Sequence, residues 1–85
     1  MKIKRVTIDT GIGAAYIYLD TPERQKAKLK QISVGMSVIF DLDEEDNLFG
    51  IEILDWNIVK NLMSDETVKK LQKHGITVVE QGIEK

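Results

Sequence analysis

The chain has 85 residues, 42% hydrophobic and 31% charged, with a net charge of −2 and no cysteine. Such a chain forms one globular domain that buries roughly 60–65% of its unfolded surface without covalent staples. The composition excludes a disulfide framework, a zinc–cysteine site and a thiol nucleophile, and the small negative charge supplies no overall field to recruit nucleic acid.

Taken in chain order, period-two and β-branched patterns fill the first two thirds and helical patterns follow. Lys2–Ile8 reads as a strand. Asp9-Thr10-Gly11-Ile12-Gly13 is a turn, because two glycines and an aspartate favour positive φ and local side-chain bonds. Ala14–Leu19 is a second strand, with Ala15, Ile17 and Leu19 on one face and Tyr16 and Tyr18 on the other. Thr21-Pro22-Glu23 breaks it. Lys26–Ile32 reads as a third strand with Lys26, Lys28 and Lys30 on one face, and Gly35 marks the next turn.

Ser37–Asp43 and Leu48–Leu54 form a hairpin around Glu44-Glu45-Asp46-Asn47. Pairing Phe40 with Ile51 sets Leu42 opposite Phe49 and Val38 opposite Ile53, so one face is wholly apolar; a slip of one residue would bring Glu52 and Gly50 into it. The same register sets Asp41 opposite Gly50 and Ile39 opposite Glu52. Asp55 caps a short helix carrying Trp56, Ile58, Val59 and Leu62. Ser64 caps a second, with Asp65 and Glu66 at its positive end and Val68 and Leu71 inward. Gly75 ends it, Ile76–Glu80 is a last strand, and Gln81–Lys85 is a tail. The expected architecture is α+β: an antiparallel meander of four to five strands, one or two C-terminal helices and a final strand.

Charge is unevenly placed. Residues 1–33 carry +4, residues 34–59 carry −7 with no lysine or arginine, and residues 60–85 carry +1. Basic and acidic stretches therefore meet in the fold or form two poles. The N-terminal MKIKRVTIDT has no apolar stretch for export, and no apolar run reaches the ~18 residues of a spanning helix. The expected setting is the cytoplasm, with no membrane contact.

No catalytic apparatus is legible. His74, the single histidine, sits where a cation complements a helix C-terminus. Ser33, Ser37 and Ser64 fall in turn or cap contexts, and no triad emerges. Gly11-Ile12-Gly13 lacks the third glycine and the following helix of a phosphate loop. Asp41, Asp43, Glu45 and Glu52 have calcium-loop spacing, but Asp46 stands where the sharp glycine turn belongs and the flanks are strands. Asp41 and Glu52 share a face without a cleft to oppose them across. Lys26, Lys28 and Lys30, with Tyr16 and Tyr18, offer the ingredients of a nucleic-acid surface, offset by Asp41 and Glu52 if these lie on the same face. Trp56 reads as a core anchor at the strand-to-helix junction, with a contact role as the alternative.

The segments IDTGIGAAYIYL and DLDEEDNLFGIEILD resemble the small bacterial, archaeal and phage proteins grouped as domain of unknown function 2283. That family shows an Asp-led turn, an Ala-x-Tyr-Ile strand, an Asp-Leu-Asp-Glu hairpin and a Gly-Ile-Glu-Ile-Leu strand. Here these are Asp9; Ala14, Tyr16 and Ile17; Asp41 to Glu44; and Gly50 to Leu54, followed by Asp55. The resemblance covers about residues 3–57. It departs at Gly13, where the family often has Asp, and at Trp56, where a small residue is usual. It implies a compact β-rich fold, no established activity and no catalytic residues. Some members look like partners of small toxins in paired loci.

The functional expectation is a protein-binding module, antitoxin-like or inhibitor-like, acting by surface contact. It uses no cofactor and no metal, and its partners are a second copy of itself and another small protein. The expected contact residues are Tyr16, Tyr18, Lys28, Lys30, Ile39, Asp41, Glu52 and Trp56, with Tyr16, Tyr18 and Ile39 on the sheet face away from the helices. A nucleic-acid-binding regulator using the lysine and tyrosine residues, and a small metal protein or enzyme built on Asp41, Asp43 and Glu52, are the alternatives.

Overall fold

A computed structural model describes residues 2–20 and 30–81. Its elements are β1 (Lys2–Asp9), β2 (Ala14–Asp20), β3 (Lys30–Val34), β4 (Val38–Leu42), β5 (Leu48–Ile53), α1 (Trp56–Leu62), α2 (Asp65–Lys73) and β6 (Thr77–Gln81). The α+β architecture matches the sequence expectation, with six strands rather than four to five. The strands form one sheet in the order β3-β4-β5-β2-β1-β6. Consecutive pairing stops at β2, whose second neighbour is β5 rather than β3. The last strand lies parallel to β1. A parallel return needs a long crossover, usually helical. Residues 54–76 supply it, and this places both helices against one face of the sheet.

Local chemistry fixes each boundary. In the β1–β2 turn, Asp9 Oδ1 accepts the Gly11 N–H at 2.9 Å and Gly13 takes φ +72°. Asp55 caps α1 by accepting the Asn57 N–H at 2.9 Å, and Ser64 caps α2 by accepting that of Thr67 at 3.2 Å. Helix α2 ends on Gly75 at φ +80°, with Gly75 N–H donating to the Gln72 carbonyl and Ile76 N–H to that of Leu71. That is the double-bonded glycine stop of helix C-termini, and Leu71 and Ile76, at the two positions where an apolar pair usually accompanies it, both pack against the core.

The core lies between the crossover and the sheet. Val6, Ile8, Ala15, Ile53 and Val59 are buried together, ringed by half-buried Ile3, Ile17, Ile51, Leu62, Met63, Leu71, Ile76 and Val78. The hairpin register holds for Phe40–Ile51 and Val38–Ile53. Beyond Asp41 it slips, and Leu42 faces Leu48, so Phe49 is the extra residue of a bulge.

Two expectations need correction. Trp56 is not a buried anchor: it is 46% exposed and lies over Gly13 of the β1–β2 turn. It is the first residue of a helix capped by Asp55, and from there its ring passes outside the sheet end. The third strand ends later than the lysine pattern suggested, at Val34 rather than Ile32. Thr21-Pro22-Glu23, Lys26, Lys28 and the tail beyond Gln81 lie outside the described residues. Among those residues no helix is long and apolar enough to cross a membrane.

Candidate functional site

The sheet face away from the helices carries a polar network built by register alone. Strands β2, β5, β4 and β3 present Tyr16, Gly50, Asp41 and Gln31 there, since Tyr18 pairs with Gly50, Gly50 with Asp41 and Asp41 with Gln31. Asp41 is 4% exposed. A buried carboxylate is tolerable only with hydrogen bonds, and it has two kinds. The Tyr16 hydroxyl donates to its Oδ2 at 2.6 Å, and Gln31 Nε2 donates to its Oδ1 at 3.1 Å. Gln31 Nε2 also reaches Glu52 Oε2 at 3.4 Å, so one amide bridges both carboxyls.

Gly50 makes the network possible. Tyr16 stands on β2 and Asp41 on β4, and the tyrosine must cross β5 to reach it. A Cβ at Gly50 would stand 2.5 Å from Tyr16 Cζ and nearer still to the hydroxyl. The glycine is the gap through which the ring passes, which is the close-approach role of glycine in a strand.

The electrostatics follow. Burial, then the hydrogen bond to Asp41, pushes the Tyr16 hydroxyl well above the usual phenol range. Burial, then the neighbouring Asp41 carboxyl, raises Glu52 above the usual carboxylate range. Beside the network, the Tyr16 and Tyr18 rings lie 4.6 Å apart, and the Arg5 guanidinium sits 4.3 Å from the centre of the Tyr18 ring. Arg5 adds a cation–π contact that weights the face toward neutrality.

Five of the expected contact residues, Tyr16, Tyr18, Ile39, Asp41 and Glu52, meet on this face. Lys30 does not. It pairs with Leu42, one residue out of phase with the Gln31–Asp41 pair, and its ammonium bonds Asp46 at 2.9 Å. The sheet therefore does not combine Lys30 with the tyrosines into a basic, aromatic surface. Asp43 is also committed locally. It accepts the N–H groups of Glu45 and Asn47 at 2.8 and 2.9 Å and the Asn47 amide at 3.1 Å. The Asn47 N–H leads the bonds that hold its carboxyl below the usual range. Among the described residues no group of three or more histidine or acidic side chains is placed to hold a metal ion.

Sequence reasoning missed Gln31, the passage of Tyr16 over Gly50 and, Trp56 apart, a second group of exposed residues. Ile12, Met36, Leu54, Trp56 and Ile58 are exposed at 71%, 96%, 47%, 46% and 41%. They come from the β1–β2 turn, the β3–β4 turn and the β5–α1 junction. The pairs Asp9–Ala14, Ala15–Ile53, Ile53–Val38 and Val38–Val34 bring all three to one end of the sheet. Five strands at ~4.8 Å spacing make that end a strip of about 19 Å. Exposed apolar side chains scattered singly are ordinary, whereas these five share one end of the sheet. No single segment announces the group, because its members come from two turns and a helix start that are distant in sequence.

A profile of the family described as Protein of unknown function (DUF2283) matches residues 5–56. The chain belongs to this family. The matched stretch runs from Arg5 to Trp56 and so contains the whole polar network, the bulge and most of the apolar end. In this DUF2283 protein the two helices beyond Trp56 and the parallel strand β6 lie outside the match. No curated protein and no solved structure matches the chain.

Proposed function

We propose that this DUF2283 protein is a small protein-binding module, acting by surface contact, whose contact surface is the apolar end of the sheet. The supporting observation is the strip of Ile12, Met36, Leu54, Trp56 and Ile58, with Trp56 as the anchor residue that interfaces favour. Asp9 and Asp55, next to the strip in sequence, cap the β1–β2 turn and α1 and add the acidic charge nearest to it in the chain. Charge complementarity then suits a small protein with a basic rim, in the manner of an antitoxin or inhibitor and its target. A second copy of the chain is the other partner, and it uses a different part of the sheet.

Self-association is tested by sedimentation velocity from about 5 to about 200 μM. A mass that climbs from monomer toward dimer supports the reading, and an unchanging monomer contradicts it. For the other partner, a protein retained from the native cell must rebind as a purified component, with heat of binding in titration calorimetry. Trp56→Glu must abolish that heat. Binding unaffected by Trp56→Glu would show that the apolar end is not the contact surface.

A further inference from the structure

We propose that β3 is the seam of a two-fold dimer, in which this strand pairs antiparallel with β3 of a second copy and continues the sheet across the interface. The inference rests on reading the chain as a protein-binding module and says where its own second copy sits.

Strand β3 is at the end of the sheet, with β4 as its neighbour among the described residues. All five of its residues are exposed. A sheet edge is a row of unpaired N–H and C=O groups, and proteins that stay monomeric guard such edges with proline, bulges or charge. The β3–β4 register runs from Lys30–Leu42 to Val34–Val38 without a bulge, and the strand contains no proline. Its one charge, Lys30, is engaged by Asp46. The opposite edge, β6, is different: it carries Glu80.

The sequence of β3 is self-complementary about Ile32. Turned antiparallel on itself, Lys-Gln-Ile-Ser-Val sets Ile32 against Ile32 of the second copy and Lys30 against Val34 on the helix-side face. Gln31 then meets Ser33 on the other face. No like charges are opposed, which is the pairing that stabilises rather than repels across strands. Ile32 and Val34 are 50% and 51% exposed and stand beside half-buried Phe40 and Val38. The second copy would therefore extend an apolar strip that already runs to the edge. Antiparallel pairing points the two apolar ends in opposite directions and leaves each open for its own partner.

The chain has no cysteine, so single introduced cysteines report contacts cleanly. Directly opposed residues lie about 4.5–5.5 Å apart between Cα atoms, inside the disulfide range of about 4.4–6.8 Å. Ile32→Cys should oxidise to a covalent dimer at ~50 μM. Lys30→Cys mixed with Val34→Cys should give a linked heterodimer. Thr77→Cys on β6 and Tyr18→Cys on the open face should stay monomeric under the same oxidation. The exposed position of Ile32 makes the substitution mild, and circular dichroism of the reduced variant checks the fold. As a second measure, Ile32→Lys should weaken the dimer at least tenfold in sedimentation. A dimer that links through Thr77→Cys or Tyr18→Cys and not through Ile32→Cys overturns the seam while leaving the binding-module reading intact. A monomer whose β3 amides resist hydrogen exchange also overturns it, because another part of the chain would then cover the edge. A monomer with open β3 amides at every concentration contradicts self-association itself.

Discussion

Gly50→Ala probes the polar network through the one residue that lets it form. The added Cβ would stand 2.5 Å from Tyr16 Cζ, so the ring must swing off β5. The 2.6 Å bond from the Tyr16 hydroxyl to Asp41 goes with it. A hydrogen bond to a charged group is worth about 1.5–3 kcal/mol. Overpacking adds about 1–3 kcal/mol where the ring cannot clear fully, and replacing a strand glycine returns about 0.5–1 kcal/mol. The balance is a loss of about 1.5–5.5 kcal/mol, each kcal/mol lowering Tm by about 4–8 °C in a domain of this size. The decisive control is the Tyr16→Ala background, where the clash and the bond are both already gone. There Gly50→Ala should be neutral or stabilising by about 0.5 kcal/mol. Urea unfolding of the four proteins of this cycle, followed by Trp56 fluorescence and circular dichroism, measures the coupling. Equal cost in both backgrounds, or no cost in the wild type, would refute the crossing of Tyr16 over Gly50.

Glu52 is held above the ordinary carboxylate range by burial and by Asp41, so the folded protein keeps a proton that the unfolded chain has released. Stability should rise as pH falls from neutral through the folded pKa toward the unfolded value of 4.5. Glu52→Gln should therefore stabilise the protein at pH 7, by less than about 1 kcal/mol because the group is largely solvated, and should flatten that pH dependence; a less stable variant at pH 7 contradicts the sign. Gly75→Ala meets no neighbour but forces a side chain to φ +80°, which should cost about 1–2 kcal/mol in thermal unfolding; a neutral outcome would mean that α2 ends differently. Calcium titration up to millimolar concentration should show no saturable heat, because Asp43 already accepts three bonds from its own loop; micromolar affinity would contradict that commitment.

Much of this fold was legible because its chemistry is local. The caps Asp55 and Ser64, the Gly75 stop and the Asp9 turn act within a few residues, and the β4–β5 register follows from apolar alternation. The bulge was hidden because Leu48 and Phe49 are both apolar, so either satisfies the pattern at Leu42. The β2–β5 neighbourhood was hidden because pairing between distant strands is settled by the crossover, which no local pattern encodes. Asp41 opposite Gly50 was readable from register, but its meaning depends on a tyrosine from β2. Lys30 misled for a related reason: β3 pairs Gln31 with Asp41 and turns Lys30 the other way. Trp56 read as core because tryptophan usually buries, whereas here the helix cap places it at the rim.

The most direct measurement of the contact surface is amide hydrogen exchange, read at ~5 and ~200 μM. If the chain associates through β3 as proposed, the amides of residues 30–34 slow with concentration while those of residues 77–81 do not change. If the chain binds a second protein as proposed, adding that protein in purified form slows exchange around residues 12, 36 and 54–58. Exchange that is independent of both concentration and partner at these positions would contradict the claim that this protein works by surface contact.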